Sequence, residues 1–412
     1  DLERCKLLID NVPDEKIINK LYEIRGKRRN NYPIEAVWNS ILIMPLIKCS
    51  SVEQLRRELS RNRDLRKLCG FNDANYYYGK NKLVPPPKAY SNMIKNLKII
   101  EPKLKECFYD LRTFMYEHLK DFGKDVGEDG KIFLSKAKGP NKNGDVNDAR
   151  CEMDADYTIK ENYYKDPKDG TTKVKKKTYF GFRYHLLADV NYELPLEYTV
   201  TKASCDERKE LIKHINMLSQ EMIDKILTLC ADKGYDSEKI IEFLKSQGII
   251  PVIDIRNQWK SGEETKQYKD TNIVYTYDGK VYYVEDNGSK IPMKYLGYDK
   301  VKDKLRYGYK GKVYGIELST DSRIFTPIAR DSKKFKTKYK MRTEVERLNG
   351  RIDRDYMFND HFIRGQKKMD LMLTLTFVVM LTIAKGHIKN TILFRMIFVS
   401  LFKKFEQIRH WS

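Results

Sequence analysis

Three acidic residues stand at positions where a fold could bring them together: Asp129 in EDGK, Asp232 in ADKGYDS and Glu346 in YKMRTEVE. The apolar run ILTLCA ends directly before Asp232, and α/β folds form their ligand crevices at the carboxyl ends of buried strands. Mg²⁺ takes oxygen ligands and keeps several waters, so a few carboxylates can hold two ions about 4 Å apart. Such a pair can activate a water and stabilise a leaving oxygen, which is the chemistry of metal-dependent phosphodiester cleavage.

Each acidic residue also has a plainer interpretation. Asp129-Gly130 is typical of a hairpin turn, and we predict that DVGEDGKIFLS forms a strand pair that turns there. Asp232 could cap a helix, although Asp236 and Ser237 are better placed to do so. Glu346 could be a surface residue that pairs with Arg342 at i,i+4. Only the three residues together favour a metal site.

The remaining titratable residues give weaker signals. Asp154 and Asp189 are further carboxylates that a fold could bring near, and they stay open as less favoured ligands. His185 is predicted to be structural, and His214 to lie on the surface of a helix. The seven cysteines are scattered without a CxxC pair, which argues against a zinc site and is consistent with a reducing cytoplasm.

A late helix places Glu346 in a polar setting. Tyr339, Arg342, Glu346 and Asp353 are offset by 3, 7 and 14 residues, so one helix would carry them on one face. A tyrosine, an arginine and a glutamate on an otherwise polar face do not form a core stripe. They suit a surface that meets a phosphate backbone.

Taken together, these motifs resemble the DDE transposases of bacterial insertion sequences, the group with an RNase H-like catalytic domain and a Y-x-x-R-x-x-x-E motif. The matching residues are Asp129, Asp232, Tyr339, Arg342 and Glu346. FGFRYHLLADVNYELPLEYTVTKASCDE, IIPVIDIRN and the N-terminal PIEAVWNSILIMPLIKCSSVEQLRRELSRNRDLRKLCGF also resemble the family. The similarity covers most of residues 30 to 390.

The resemblance implies an activity and its participants. Asp129, Asp232 and Glu346 would be the catalytic residues and would hold two Mg²⁺ ions, which Mn²⁺ can replace. The enzyme would cut double-stranded DNA at the element's terminal repeats and transfer the strands to target DNA. It would act as a homodimer in the synaptic complex. It would work in the bacterial cytoplasm at the nucleoid and would not bind a membrane. The expected DNA-binding residues are Tyr339, Lys340, Arg342 and Arg351.

One position departs from the family pattern. The family often carries a basic residue seven positions after the glutamate, and that position is Asp353 in this sequence. Arg351 and Arg354 flank it and could substitute, but from different positions around the helix. The departure puts one DNA contact in doubt.

Charge and hydrophobic patterning define the setting of these residues. The 79 Lys and Arg residues against 58 Asp and Glu residues give a net charge of +21, which favours a polyanionic partner through counterion release. Strands followed by alternating helices and strands predict a mixed α+β, α/β architecture with a mixed sheet flanked by helices, the RNase H-like class that the resemblance implies. The apolar segment Leu371–Ala384 is too short for a bilayer, which needs about 20 residues, and is predicted to be a buried helix.

The chain divides into four predicted regions: a helical DNA-binding or dimerisation region at 1–120, the first part of the catalytic domain at 121–255, a β-rich insertion at 256–330, and the second part with the Glu346 helix and C-terminal helices at 331–412. The first region has a helix-turn-helix outline, with capping-box spacing at Ser50 and Glu53, but simple helical packing explains it equally well. Residues 139–177 are predicted to form a polar surface loop, whose Lys173–Lys177 run is either solvated or a phosphate contact.

Two other functions stay open at this point. The chain could be a catalytically inactive, transposase-derived DNA-binding protein, or a metal-dependent nuclease that cuts without joining. Salt-dependent binding without Mg²⁺-dependent cleavage would favour the first, and cleavage without strand transfer would favour the second.

Overall fold

The computed structural model describes residues 1–26, 32–71, 83–140, 150–167, 170–361 and 363–409. Seven helices fill the part of the first 118 residues that is described: α1 (Leu2–Asn11), α2 (Glu15–Arg25), α3 (Ile34–Ile43), α4 (Val52–Arg61), α5 (Arg63–Cys69), α6 (Pro87–Ile99) and α7 (Glu101–His118).

The N-cap of α4 is Ser51, whose hydroxyl accepts from the Gln54 amide, and the Gln54 side chain accepts from the Ser50 amide at 2.8 Å. The predicted capping box is therefore displaced by one residue from Ser50 and Glu53.

The central sheet contains β1 (Asp125–Leu134), β2 (Asp156–Lys165), β3 (Thr172–Asp189), β4 (Leu194–Lys202), β5 (Thr228–Ala231) and β6 (Ile250–Ile253). Its main strand order is β4-β3-β1-β5-β6, with antiparallel pairing among the first three strands and parallel pairing from β1 to β6. The helices α8 (Glu207–Met217), α9 (Gln220–Lys225) and α10 (Glu238–Ser246) connect its second half. This is the mixed, RNase H-like sheet that was expected.

Two local predictions about this sheet were wrong. β1 runs without a turn through Asp129 and Gly130, because it pairs with β3 along its whole length and with β5 over its first part. The predicted loop at 139–177 contains β2 and the first part of β3, which pair over ten residues. Residues 141–149 and 168–169 of that segment lie outside the described residues.

The insertion forms two small antiparallel sheets with a hydrophobic core of their own. The first contains β7 (Lys266–Gln267), β8 (Ile273–Tyr275), β9 (Val281–Val284) and β10 (Lys290–Pro292), and the second contains β11 (Lys294–Asp299), β12 (Lys304–Tyr309) and β13 (Lys312–Glu317). Asp278 and Gly279 lie in the turn between β8 and β9, as the hairpin motif indicates.

Three helices end the chain: α11 (Lys333–Lys340), α12 (Arg342–Asp355) and α13 (Gln366–Arg409). The single helix expected for Tyr339 to Asp353 is interrupted at Met341, so Tyr339 lies on α11 and Glu346 on α12.

The apolar C-terminal segment is buried, as predicted, but its helix is longer than the predicted segment. Residues Gln366–Ile392 of α13 are long and apolar enough to cross a membrane by length and composition, and 67% of their most apolar window is buried inside the molecule. This part of α13 packs against α1, α7 and β4.

Candidate active site

The register of the parallel strands places two of the predicted carboxylates side by side. Glu128 of β1 lies opposite Ala231 of β5. The residues that follow them in the sequence are Asp129 and Asp232. Neighbouring strands are about 4.8 Å apart, and successive side chains alternate between the two faces of a sheet. Asp129 and Asp232 therefore lie at the same edge of β5, where that strand ends.

The pKa of Asp129 reflects its burial and the carboxylates near it. Burial, together with the negative charges of Asp232 and Glu346, raises the pKa of Asp129 to about 6. The Asn349 amide of α12 donates a hydrogen bond of 2.7 Å to Oδ2 of Asp129, and its own Oδ1 accepts from the Tyr184 hydroxyl at 2.5 Å. The structure thus brings the three predicted carboxylates into electrostatic contact, with Asn349 orienting Asp129.

Close packing of α12 on β1 brings Glu346 to this edge. A side chain at Gly127 would overlap Val345 of α12, so the glycine allows the helix to approach the strand. Glu346 follows Val345 directly and is half exposed, with Oε1 accepting from the Arg342 guanidinium at 2.6 Å. The surface ion pair considered from the sequence is therefore present, within the site.

Tyr339 and Arg342 lie together despite the helix break. The Arg342 guanidinium sits 5.7 Å from the centre of the Tyr339 ring. Burial raises the pKa of Tyr339, and the carboxylates of Asp254 and Asp232 contribute, so the ring lies near the strand ends. The two residues border the acidic edge of the sheet.

The other two predicted DNA-binding residues have different surroundings. Lys340 is exposed at the end of α11. Arg351 forms an ion pair of 3.3 Å with Glu193, which also pairs with Arg347. Arg351 is thus held by the turn between β3 and β4, and a DNA contact there would have to compete with that carboxylate.

The unusual Asp353 has a partner on the sheet. It forms an ion pair with Lys131, whose ammonium also donates to the Asn349 carbonyl at 3.3 Å. Lys131 lies two residues after Asp129 on β1 and hence on the same face. A cation therefore stands beside the site, but it comes from the strand and not from the helix position where the family carries one.

Sequence reasoning missed Lys131, Asn349 and also Asp254. Asp254 follows β6 directly, and the register of Ala231 with Ile253 makes it the neighbour of Asp232. Period-two alternation from Asp129 could have suggested Lys131, and i,i+3 spacing from Glu346 could have suggested Asn349.

Asp232 has a second role at the end of its strand. Its Oδ1 accepts from the Gly234 amide at 2.6 Å and so caps the short 3-10 turn Lys233–Tyr235. Ser237 is the N-cap residue of α10, as the sequence indicated, but its side chain makes no capping hydrogen bond. Asp236 instead accepts from the Arg256 amide at 2.9 Å and pairs with Arg323 at 2.5 Å.

A buried ion pair lies on the sheet face opposite to Asp129. Glu128 points to the opposite face from Asp129 and forms an ion pair of 3.0 Å with His214 of α8. Burial lowers the pKa of His214, but the Glu128 carboxylate outweighs it and the pKa is raised. The prediction that His214 lies on a helix surface was wrong, because α8 turns this residue into the sheet. His185 is buried as expected, and burial lowers its pKa to about 3.

The donor chemistry fits a divalent cation, although the side chains do not form a closed cage. Among the described residues, no group of three His, Cys, Asp or Glu side chains is arranged to hold a metal ion. The hydrogen bond from Arg342 accounts for the orientation of Glu346. The oxygen-only donors and the raised pKa of Asp129 are consistent with a bound cation, which would relieve the repulsion between the carboxylates.

Asp154 and Asp189 form hydrogen bonds outside the candidate active site. Asp154 accepts from the Gln366 amide at 2.8 Å, at the start of α13. Asp189 accepts from the amides of Gly123, Asn191 and Tyr192 and so fixes the turn after β3.

Comparisons with known proteins identify the family of the chain. None of the curated proteins compared with the chain matches it. A chain in the cryo-EM structure of a piggyBac transposase synaptic complex with hairpin DNA is 10% identical, with a TM-score of 0.37, over 94% of this chain and 75% of that chain. The family model for the transposase DDE domain matches residues 153–382, a range that contains Asp232 and Glu346 and begins after Asp129. Because this match extends over 230 of the 412 residues, the chain belongs to the transposase DDE domain family.

Proposed function

We propose that the protein is a transposase that cuts DNA at the ends of an insertion sequence and joins the freed strands to target DNA. The observation that carries the proposal is the placement of Asp129 beside Asp232, with Glu346 close enough to raise the pKa of Asp129. An acidic edge of this kind, next to Tyr339 and Arg342, suits a phosphodiester better than a neutral substrate.

The residues of the site divide the work between them. Asp129, Asp232 and Glu346 would hold two Mg²⁺ or Mn²⁺ ions, which supply Lewis acidity and an activated water when bound. Asn349 keeps one oxygen of Asp129 engaged, so the other oxygen is left for a ligand. Arg342 lies between Glu346 and the Tyr339 ring, so a DNA phosphate that attracts Arg342 also frees Glu346.

The partners follow from the reaction. Double-stranded DNA, both the terminal repeats and the target, is the substrate, and the net charge of +21 favours its binding. Two element ends must be held at once, so a homodimer would form the synaptic complex. A bacterial cell, with the protein acting at the nucleoid, is the setting that this proposal implies.

The test is DNA cleavage with Mg²⁺ or Mn²⁺ on a fragment that carries the element's own ends, comparing the wild type with Asp232→Ala. We expect the wild type to cut and join, and the variant to bind DNA but lose cleavage by a factor of at least about 10³, because one shared metal ligand is removed. Asp224→Ala, at an exposed position on α9, is the matched control and should cut normally. Binding without cleavage by the wild type would leave only a DNA-binding protein, and cutting without joining would leave a nuclease.

A further inference from the structure

A two-stranded arm extends from the central sheet. The second half of β3, from Phe182 to Asp189, pairs with β1 and β4 on its two sides. The first half, from Thr172 to Tyr179, pairs with β2 alone among the described strands. The ten residue pairs of β2 and β3 therefore form a ribbon, called the arm here, made of residues 156–165 and 172–181.

The two faces of the arm differ in character. Directly opposed residues share a face, so one face carries the pairs Tyr157–Phe180, Ile159–Thr178 and Glu161–Lys176. Lys176 pairs with Glu161 there at 2.9 Å, and Lys165 adds one further positive charge to this face. The other face, called the lysine face here, carries Lys160, Lys173, Lys175 and Lys177, together with Thr158, Tyr164 and Tyr179.

The lysine face holds an unfavourable charge arrangement. Lys160 lies directly opposite Lys177, and like charges at directly opposed positions destabilise a sheet. Lys175 lies two residues further along the same face. The carboxylate of this face, Asp156, lies at the base of the arm and accepts from the Ser204 hydroxyl at 2.6 Å, and Asp166, beyond the strand, pairs with Lys173 at the far end. A polyanion on this face would remove the repulsion.

Protection of an exposed strand edge is the simplest alternative role for these lysines, since charged side chains prevent edge-to-edge pairing. Lysines on either face, or alternating positive and negative charges, would protect the edge equally well. It does not account for four lysines on one face while the other face carries two, one of which is paired with Glu161. The location of the lysine face accounts better for this uneven distribution of lysines.

A groove joins the base of the lysine face to the candidate active site, although along β3 the sheet face of Asp129 continues into Phe180 and Lys176 on the opposite face of the arm. This groove is lined by Lys131, Lys136, Lys160, Tyr179 and Asp353. Lys131 shares its sheet face with Asp129, so the groove begins beside the carboxylates and ends at the base of the arm. Lys177, whose ammonium lies 5.1 Å from the centre of the Tyr179 ring, extends the row outward.

We propose that the arm is a DNA-binding site in which the lysine face contacts the phosphates of the duplex that flanks the cleavage position. The proposal rests on the proposed function and names a surface that the carboxylate site does not include. A ten-residue strand spans about 33 Å, which is close to one turn of B-DNA at about 34 Å. The arm therefore matches about ten base pairs of flanking duplex.

The test compares two double variants of the full chain. Lys175→Ala/Lys177→Ala removes two charges from the lysine face, and Lys165→Ala/Lys176→Ala removes two from the opposite face of the same strands. Binding to a 30-base-pair duplex of arbitrary sequence is measured by fluorescence anisotropy over a range of salt concentrations. The first variant should bind about tenfold more weakly near 0.1 M salt, and its log–log salt slope should fall by about 2, while the control keeps the wild-type slope.

The outcomes separate the arm from the catalytic proposal. Equal loss in both variants, or in neither, overturns the arm as a specific phosphate contact. Circular dichroism of both variants checks that the sheet remains folded. If the wild type binds through the arm but never cuts DNA, the catalytic proposal fails and the arm stands. If it cuts and joins DNA but the two double variants bind alike, the arm fails and the catalytic proposal stands.

Discussion

The ionisation of Asp129 affects both the stability of the folded protein and the charge of the candidate active site. Burial, followed by the charge of Asp232, raises its pKa to about 6 from an ordinary value of 3.8. A carboxyl whose pKa is raised on folding stabilises the folded state below the ordinary value, and this contribution is lost as the pH rises through 6. Above pH 6 the folded protein therefore carries a buried negative charge at this position, together with its repulsion from Asp232.

Replacing Asp129 by Asn should remove that repulsion. We expect Asp129→Asn to raise the free energy of unfolding at pH 8 by up to about 3 kcal/mol and to change it little at pH 4, where the wild-type carboxyl is already protonated. Urea unfolding at the two pH values measures the difference. Added Mg²⁺ should stabilise the wild type at pH 8 more than the variant.

Asp224→Asn, at an exposed position, is the control and should show no such pH-dependent gain. A lower stability of Asp129→Asn at pH 8 would mean that hydrogen bonding to Asn349 outweighs the repulsion between the carboxylates.

At this scale the family motifs located the carboxylates, but not their partners. Asp129, Asp232 and Glu346 were predicted because their flanking sequences resemble a known family. Lys131 and Asn349 depend on which face of β1 meets which face of α12, and that is set by tertiary packing. Asp353, where the sequence departs from the family pattern, pairs with Lys131 from a different element.

The contact between β1 and α12 is the element-scale feature that positions Glu346. Gly127 has no side chain where Val345 approaches, and a methyl group there would overlap Val345 and crowd Val190. We expect Gly127→Ala to lower the free energy of unfolding by about 1–3 kcal/mol, because overpacking forces the helix outward. DNA cleavage should fall more than DNA binding, since Glu346 moves with the helix; urea unfolding and the two assays measure this.

A second substitution tests the cause. Val345→Ala in the Gly127→Ala background should recover part of both the stability and the cleavage, because it removes the overlapping methyl groups. If the double variant loses the sum of the two single effects, the positions are independent and the contact does not position the helix.

Element type was predictable where periodicity was strong and failed where tertiary pairing decided. The sequence Asp129-Gly130 has turn composition, but pairing with β3 continues through both residues and keeps the strand extended. Most of the arm was predicted to be a loop because residues 139–177 are polar and rich in Gly and Lys. The helix over 339–353 has continuous polar periodicity, which gives no sign of the break at Met341.

At the scale of the whole molecule, the predicted regions do not each have a separate core. The N-terminal helices, the central sheet and α13 share one hydrophobic core, whereas the insertion has its own. The shared core arises because α13 packs against both α7 and β4, which are distant in the sequence. Local periodicity cannot reveal such a contact, so the regions drawn from the sequence describe chain order and not independent folding units.

Asp236 joins the insertion to the central sheet at both of its ends. Its fully buried carboxylate accepts from the Arg256 amide at the entry to the insertion and pairs with Arg323 near the exit. We expect Asp236→Ala to lower the free energy of unfolding by about 3–5 kcal/mol, because Arg323 would keep its charge in a mostly buried position without that partner. Limited proteolysis should cut near residues 256 and 323 faster than in the wild type. Lys269→Ala, which breaks a surface pair with Glu317, should change the free energy by less than about 1 kcal/mol and leave proteolysis unchanged. Equal proteolysis of all three proteins would show that the apolar contacts of the insertion hold it in place without Asp236.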